Sequence, residues 1–197
     1  MDPLKIVLVG SSIIQQWSQL KGLPSSIQVV NRGRGGTTAK EWILWLGDLL
    51  EEEQPDALLL YFGSNDINQG HTVDEIKHHL AECIHLLHHH SHGCPLAWFD
   101  IIKAPQKADK FEMVDDINSE VSQYLYRGDL RILTNDVFLK GDDPIAFYFV
   151  EDQLHLTPGA YEALSLHAVP RLVTWLEGGN ESPIQRLGSP DKGSEPL

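Results

Sequence analysis

The sequence of 197 residues is 42% hydrophobic, which fits one globular domain with a sizeable core. Its 15 Lys and Arg residues against 28 Asp and Glu residues leave a net charge of −13. A surface of that sign repels phosphate backbones and anionic lipid headgroups, so we expect no nucleic-acid partner and no membrane-surface partner. Apolar runs stay well short of the roughly 20 residues of a membrane span, and we expect no stable membrane insertion.

Both ends of the chain differ from its middle. An apolar run begins directly after Lys5, and it is needed as a core strand rather than as a disposable secretory signal, so we expect a cytoplasmic protein. After Glu177 the composition changes to Gly, Ser, Pro and charged residues. We therefore predict a folded domain over residues 1–177 and a disordered C-terminal tail over residues 178–197.

Short apolar runs recur along the chain at lengths typical of strands. They cover residues 6–9, 27–30, 57–62, 96–99 and 130–133. Apolar residues are continuous in these runs rather than alternating with polar ones, which favours strands buried on both faces of a parallel sheet.

Segments with helical periodicity separate the apolar runs. One carries Trp42, Trp45, Leu46 and Leu49, a second begins near Val73, and the last contains Tyr161, Leu164, Ala168, Leu172 and Trp175. Thr157 is suited to cap the last helix, with Pro158 at its first position. Strand–helix alternation of this kind predicts a three-layer α/β/α sandwich, flavodoxin-like, around a five-stranded parallel sheet.

In such a sheet, ligands bind at the C-terminal ends of the strands, so the loops that follow the strands are considered together. Ser11 and Ser12 follow the first strand and open a helix. A serine hydroxyl at this junction lies near unpaired helix N–H groups, which favour developing negative charge. We take Ser11 as the N-cap and Ser12 as a candidate nucleophile; the alternative is a pair of capping serines.

Asp152 and His155 lie three residues apart, just before the last helix. A tight turn would bring the carboxylate to the imidazole, where it would fix the tautomer and stabilise the imidazolium. An ordinary surface turn is the alternative. Leu154 and Leu156 on either side of the histidine favour a partly buried, oriented ring.

Two further loops offer candidate donors to an oxyanion. Gly36 ends a glycine-rich segment after the second strand, and Asn65 follows the third strand with a side-chain amide. A turn glycine and a turn-forming asparagine are the alternatives. Nucleotide binding at Gly33 to Gly36 is not favoured, because the spacing differs from Gly-x-Gly-x-x-Gly and a Walker lysine is missing.

The four motifs, in this order and each after a strand, resemble those of the SGNH hydrolase superfamily, also called the GDSL esterases and lipases. They read Val9-Gly10-Ser11-Ser12, Asn31-Arg32-Gly33-Arg34-Gly35-Gly36-Thr37-Thr38, Gly63-Ser64-Asn65-Asp66 and Asp152-Gln153-Leu154-His155-Leu156-Thr157-Pro158-Gly159-Ala160-Tyr161. The glycine block and the ending are most similar to platelet-activating-factor acetylhydrolase catalytic subunits and to bacterial lysophospholipase and thioesterase enzymes. The resemblance covers roughly residues 4 to 176.

The resemblance implies a carboxylic ester hydrolase with Ser12 as nucleophile, His155 as general base and acid, and Asp152 orienting His155. It implies an oxyanion hole formed by the backbone N–H groups of Ser12 and Gly36 and the side chain of Asn65. We expect a small-molecule carboxylic ester with a short-acyl, lipid or sugar part as substrate, an acyl-enzyme intermediate, no cofactor and no metal. A thioester or an acylated sugar as acyl donor, and an alcohol in place of water as acceptor, are left open. The acetylhydrolase likeness makes a homodimer plausible.

One residue departs from the family pattern, because the family's Asp before the nucleophile is Ser11 here. That Asp is not a member of the triad, so we expect the chemistry to survive its loss. A catalytically silent ligand-binding or scaffold protein with the same fold is the alternative hypothesis, and Ser11 is the feature that favours it.

Two other clusters are interpreted from their positions alone. Seven histidines lie close together in the second helical segment: His78, His79, His85, His88, His89, His90 and His92. His85 and His89, spaced i and i+4, would chelate a metal weakly, and we interpret the whole cluster as a solvated face. The aromatic residues 147–149 either line an acyl pocket or anchor their loop in the core.

Overall fold

A computed structural model describes residues 3–90 and 94–178. Five strands form one parallel sheet in the order β2-β1-β3-β4-β5. They are β1 (Leu4–Gly10), β2 (Ile27–Asn31), β3 (Ala57–Tyr61), β4 (Leu96–Phe99) and β5 (Leu130–Ile132). The five predicted apolar runs and the parallel sheet are therefore confirmed, and the strand ends differ from the predicted ones by at most two residues.

Helices cover both faces of the sheet. They are α1 (Ser12–Gln15), α2 (Ala39–Glu53), α3 (Ser64–Asn68), α4 (Val73–His90), α5 (Phe111–Val121), α6 (Asn135–Phe138) and α7 (Pro158–Gly178). Short 3₁₀ helices span Pro105–Lys110 and Ala146–Tyr148. A small antiparallel pair, β6 (Leu139–Lys140) and β7 (Asp143–Pro144), lies apart from the main sheet. Among the described residues no helix is long and apolar enough to cross a membrane.

Successive residues of each central strand enter two separate cores. In β1, Val7 and Val9 belong to a cluster with α2, α4 and α5, whereas Ile6 and Leu8 pack with α1 and α7. All four β1 side chains are completely buried. The sheet is thus covered on both faces, which explains the continuous apolar runs and confirms the three-layer α/β/α architecture.

The last helix begins as the sequence predicts. Thr157 Oγ1 accepts a hydrogen bond from the backbone N–H of Ala160 at 3.3 Å, and Pro158 occupies the first helical position. The predicted tail over residues 178–197 lies outside the described residues, apart from Gly178, which ends α7.

Glycines allow the chain after β2 to run very close to α1. A Cβ atom placed on Gly33 would lie 2.3 Å from the backbone nitrogen of Gln15, closer than such atoms approach. The same is true of Gly10, where a Cβ would lie 2.4 Å from the carbonyl oxygen of Tyr61. The backbone around the start of α1 is therefore packed so tightly that it has no room for side chains at these positions.

We expect Gly33→Ala to lower the free energy of unfolding by about 1–3 kcal/mol, because the added methyl group must push α1 away from the loop. Gly47→Ala is the matched control: Gly47 lies within α2 with open space around its Cβ position. There alanine should raise stability by up to about 1 kcal/mol through helix propensity. Urea denaturation measures both variants, and equal stability of Gly33→Ala and wild type would contradict the close approach.

Candidate active site

Ser12 lies at the C-terminal edge of the sheet, two residues after the end of β1. Ser12 is the first residue of α1 and Ser11 occupies the N-cap position, as predicted. Ser11 does not cap the helix with its side chain, however; its buried backbone N–H donates to Tyr61 O at 3.4 Å instead. Ser11 therefore fits into the β1–β3 junction, and the start of α1 depends on backbone contacts.

A helix of four residues needs support from outside, since its final carbonyl groups lack partners within the helix. Asn31 Nδ2 donates to Ile14 O at 2.7 Å and to Trp17 O at 3.0 Å. The hydroxyl of Tyr161 donates to Ile13 O at 2.9 Å. Asn31 and Tyr161 belong to the family motifs in the sequence, which gave no role for them. The structure shows that they hold α1 in place.

Asp152 forms the tight turn that the sequence predicts. Its Oδ1 accepts hydrogen bonds from the backbone N–H groups of Leu154 and His155, both at 2.9 Å. Gln153 adopts a left-handed conformation with φ of 60°, and its carbonyl accepts a bond from Gln106 N at 3.0 Å. An antiparallel bridge between Phe149 and Leu156 closes the base of this loop. The turn is thus fixed from both sides.

Asp152, His155 and Ser12 form a continuous chain of hydrogen bonds. Asp152 Oδ2 lies 2.6 Å from His155 Nδ1, and His155 Nε2 lies 2.8 Å from Ser12 Oγ. The bond from the imidazole, together with the bonds from the backbone N–H groups of His155 and Leu154, lowers the pKa of Asp152 to about 2. An ionised Asp152 accepts a hydrogen bond from a protonated Nδ1 of His155, so Nε2 is left to accept a hydrogen bond from the Ser12 hydroxyl.

The glycine-rich loop joins Ser12 to Asn65. A Cβ on Gly35 would lie 3.9 Å from the Cβ of Ser12, and the Asn65 side chain donates to Thr37 O at 2.9 Å. Gly36, between these contacts, has φ of 78°, which glycine adopts without strain. The space at its Cβ position is open, so backbone conformation rather than crowding favours glycine here.

Three donor hydrogens at this edge of the sheet have no partner among residues 3–90 and 94–178. The backbone N–H groups of Ser12 and Gly36 donate to none of these residues. Asn65 uses one amide hydrogen on Thr37 O and has a second one available. The structure therefore brings the predicted oxyanion donors to the loops around Ser12.

The aromatic run before Asp152 mainly anchors the loop. Phe149 is buried, and both Phe149 and Tyr148 pack against Phe138, with ring centroids 5.9 and 5.7 Å apart. Phe147 is 72% exposed. Of the two roles left open by the sequence, anchoring is the one that Tyr148 and Phe149 fulfil.

The histidine cluster is not uniformly solvated, so that interpretation was partly wrong. His88 lies 2.7 Å from Asp129 Oδ2 and stacks on Tyr126, with its side chain 9% exposed. His79 is half-buried next to His71. His85 and His89 are exposed as expected. Helical periodicity had placed these histidines outside the apolar stripe, but partners from distant loops cover two of them. His92 lies outside the described residues.

The fold and the site together define a class: three-layer α/β/α domains with a Ser-His-Asp arrangement on the loops after the parallel strands. The model of the GDSL-like lipase/acylhydrolase family matches residues 9–163. The chain therefore belongs to this family, within the SGNH hydrolase superfamily, and is a carboxylic ester hydrolase.

Curated relatives and solved structures agree with that assignment. The platelet-activating factor acetylhydrolase IB subunit alpha2 of Homo sapiens is 26% identical over 167 residues, covering 79% of this chain and 70% of the relative. The lipase/acylhydrolase from Enterococcus faecalis superposes with a TM-score of 0.69 at 21% identity, over 86% and 95% of the two chains. An acetyl xylan esterase from Geobacillus stearothermophilus gives 0.68 at 15% identity, over 87% and 95%. At these identities the structures support the fold.

The low pKa of Asp152 is testable in the folded protein. His155→Phe removes the largest cause of the shift but keeps the two backbone bonds, so the pKa should rise from about 2 toward the ordinary 3.8. We would follow the Asp152 carboxyl carbon by NMR from pH 6 down to the pH at which circular dichroism shows loss of the fold. The resonance should begin to move at higher pH in the variant, and coincident curves would contradict the hydrogen-bond origin.

Proposed function

We propose that this ester hydrolase works through a catalytic triad of Ser12, His155 and Asp152. The observation that carries the proposal is the hydrogen-bond chain from Asp152 Oδ2 through His155 to Ser12 Oγ, with links of 2.6 and 2.8 Å. Nucleophile and base are within hydrogen-bond distance, and a third group orients the base, as covalent acyl transfer requires.

The reaction follows from these contacts. Ser12 Oγ attacks the ester carbonyl while His155 Nε2 takes the hydroxyl proton, and the carboxylate of Asp152 stabilises the imidazolium that forms. His155 then returns the proton to the departing alcohol oxygen, which leaves an acyl group on Ser12. Water enters, loses a proton to His155, and attacks the acyl-enzyme. The carboxylic acid is released and the Ser12 hydroxyl is restored.

The tetrahedral intermediate carries a negative charge that needs donors fixed in advance. We assign this role to the backbone N–H groups of Ser12 and Gly36 and to the free amide hydrogen of Asn65. The bond from Asn65 to Thr37 O holds the amide before substrate arrives. Because donors of this kind need no reorganisation during the reaction, they lower the barrier more than mobile groups would.

For the acyl group, we propose acetyl and other short chains. The human relative is named for its action as an acetylhydrolase, and its similarity extends over 79% of this chain. Water serves as the acyl acceptor in this scheme. The homodimer stays a prediction.

The test is hydrolysis of p-nitrophenyl esters from acetyl to palmitoyl. We expect the highest kcat/KM for acetyl or butyryl esters, and a loss of about 10⁴-fold or more in Ser12→Ala, because the nucleophile is removed. Ser122→Ala is the control: Ser122 is an exposed serine directly after α5, and the variant should keep full activity.

Labelling separates the enzyme from the silent scaffold. A fluorophosphonate should modify wild type and Ser122→Ala, but not Ser12→Ala, since the reagent reacts with activated serines. A folded wild type that neither labels nor hydrolyses any of the esters would contradict the triad and favour the scaffold, with Ser11 as the first residue to restore to Asp.

Asn65→Ala should lower kcat for the preferred ester by about 10²–10³-fold with little change in KM, because it removes one donor that acts on the transition state. Asn68→Ala is the matched control, an exposed asparagine on the same helix α3. If both variants keep wild-type kcat, Asn65 does not stabilise the oxyanion. Unchanged thermal unfolding of the two variants would show that the fold is intact.

A further inference from the structure

Asp66 follows Asn65 in α3, but its side chain enters the core instead of the active site. The carboxylate is completely buried. The backbone N–H of Ala39, at the start of α2, lies 3.2 and 3.1 Å from its two oxygens. A carboxylate in such a position needs compensation for its charge, since burial disfavours the ionised form.

Two histidines face this carboxylate from different segments. His71 comes from the turn before α4 and His79 from the second turn of α4 itself. One ligand atom from each of Asp66, His71 and His79 lies within 4.8 Å of the other two. His71 Nδ1 is 3.7 Å from Asp66 Oδ1. Three side chains of types that bind metals, from α3, from the turn after it and from α4, therefore lie close together.

The histidine rings lack other partners at this point. The Nδ1 atoms of both His71 and His79 are buried, and neither makes a hydrogen bond to any residue in the described ranges. Buried polar atoms are normally satisfied, so two neighbouring exceptions beside a buried carboxylate call for an explanation. A shared cation would satisfy both rings and the carboxylate together.

The donor set matches a transition-metal ion. Two imidazoles and one carboxylate, with bonds of about 2.0–2.2 Å, are typical ligands of zinc. Tetrahedral bonds of that length place the ligand atoms roughly 3.3–3.5 Å apart, so the observed separations need only small side-chain rotations. His71 is 27% exposed, which leaves a fourth position for water on that side.

Charged side chains of both signs lie near the three ligand residues. The positive charge of Lys40 disfavours a cation bound to these side chains, and the negative charge of Glu75 favours one. The two effects oppose each other. Cys83 donates its thiol to Ala39 O at 3.4 Å, and its pKa is raised by burial, so we leave it out of the ligand set.

We propose that Asp66, His71 and His79 form a structural binding site for a divalent transition-metal ion, with Zn²⁺ as the best fit. The ion would join α3, the following turn and α4 at the point where Asp66 already holds the start of α2. It takes no part in the ester chemistry proposed above, and the proposal stands independently of that function.

The test uses chelator-treated full-length protein, titrated with ZnCl₂ during thermal unfolding. At about 100 times the dissociation constant we expect Tm to rise by roughly 5–10 °C, with one Zn²⁺ bound per chain by calorimetry. Co²⁺ should give visible d–d absorption of one nitrogen- and oxygen-ligated ion. None of these measurements depends on ester hydrolysis.

Variants locate the ion. His71→Gln and His79→Gln should each abolish the Zn²⁺-dependent rise, each variant being compared with itself without metal. The double variant His85→Gln/His89→Gln is the matched control, because these exposed residues form the competing i, i+4 pair and it should keep the full rise. No rise in wild type, or a rise lost in the control and kept in His71→Gln, would overturn the proposal.

Discussion

The bond between His155 Nε2 and Ser12 Oγ joins residues 143 positions apart, and the arrangement of the candidate site depends on it. A contact over that distance forms only when both ends are already held, because ordering two mobile loops costs more than one hydrogen bond returns. The Ser12 end is held by Asn31 and Tyr161, which bind the carbonyl groups of α1. The His155 end is held by the turn that Asp152 closes. The sheet sets the distance between the two ends.

Asp152 performs two tasks with one carboxylate. Oδ1 forms the turn through two backbone N–H groups, and Oδ2 binds the imidazole. The side chain is 49% exposed, so its low pKa comes from hydrogen bonds rather than from a buried ion pair. Water screens an exposed charge, which weakens its electrostatic effect on His155. In the proposed triad its main contribution is therefore geometric: it holds the ring's orientation and tautomer through partners only two and three positions away.

Local patterns in the sequence predicted the parts of this molecule that local interactions determine. Continuous apolar runs located the five strands, and the Asp152 turn and the Thr157 cap lie within four residues of their partners. No local pattern in the sequence predicted α5 or the contacts made across the fold. The pairing of His88 with Asp129 spans 41 residues, and that of Tyr161 with Ile13 spans 148. No periodicity within one helix reveals such partners, because they depend on which loops the sheet brings together.

Two adjacent residues of α3 connect the core to the loop that carries Gly36. Asn65 binds Thr37 O from the side of the active site, while Asp66 binds Ala39 N from inside the core. The two bonds hold the chain on either side of Thr38, whose side chain caps α2 together with Glu41. Gly36 directly precedes this held segment, which restricts its backbone more than glycine itself does. A ligand bound to Asp66 would therefore contact the side chain that holds Ala39 N. Ala39 lies only three residues after Gly36, a proposed oxyanion donor.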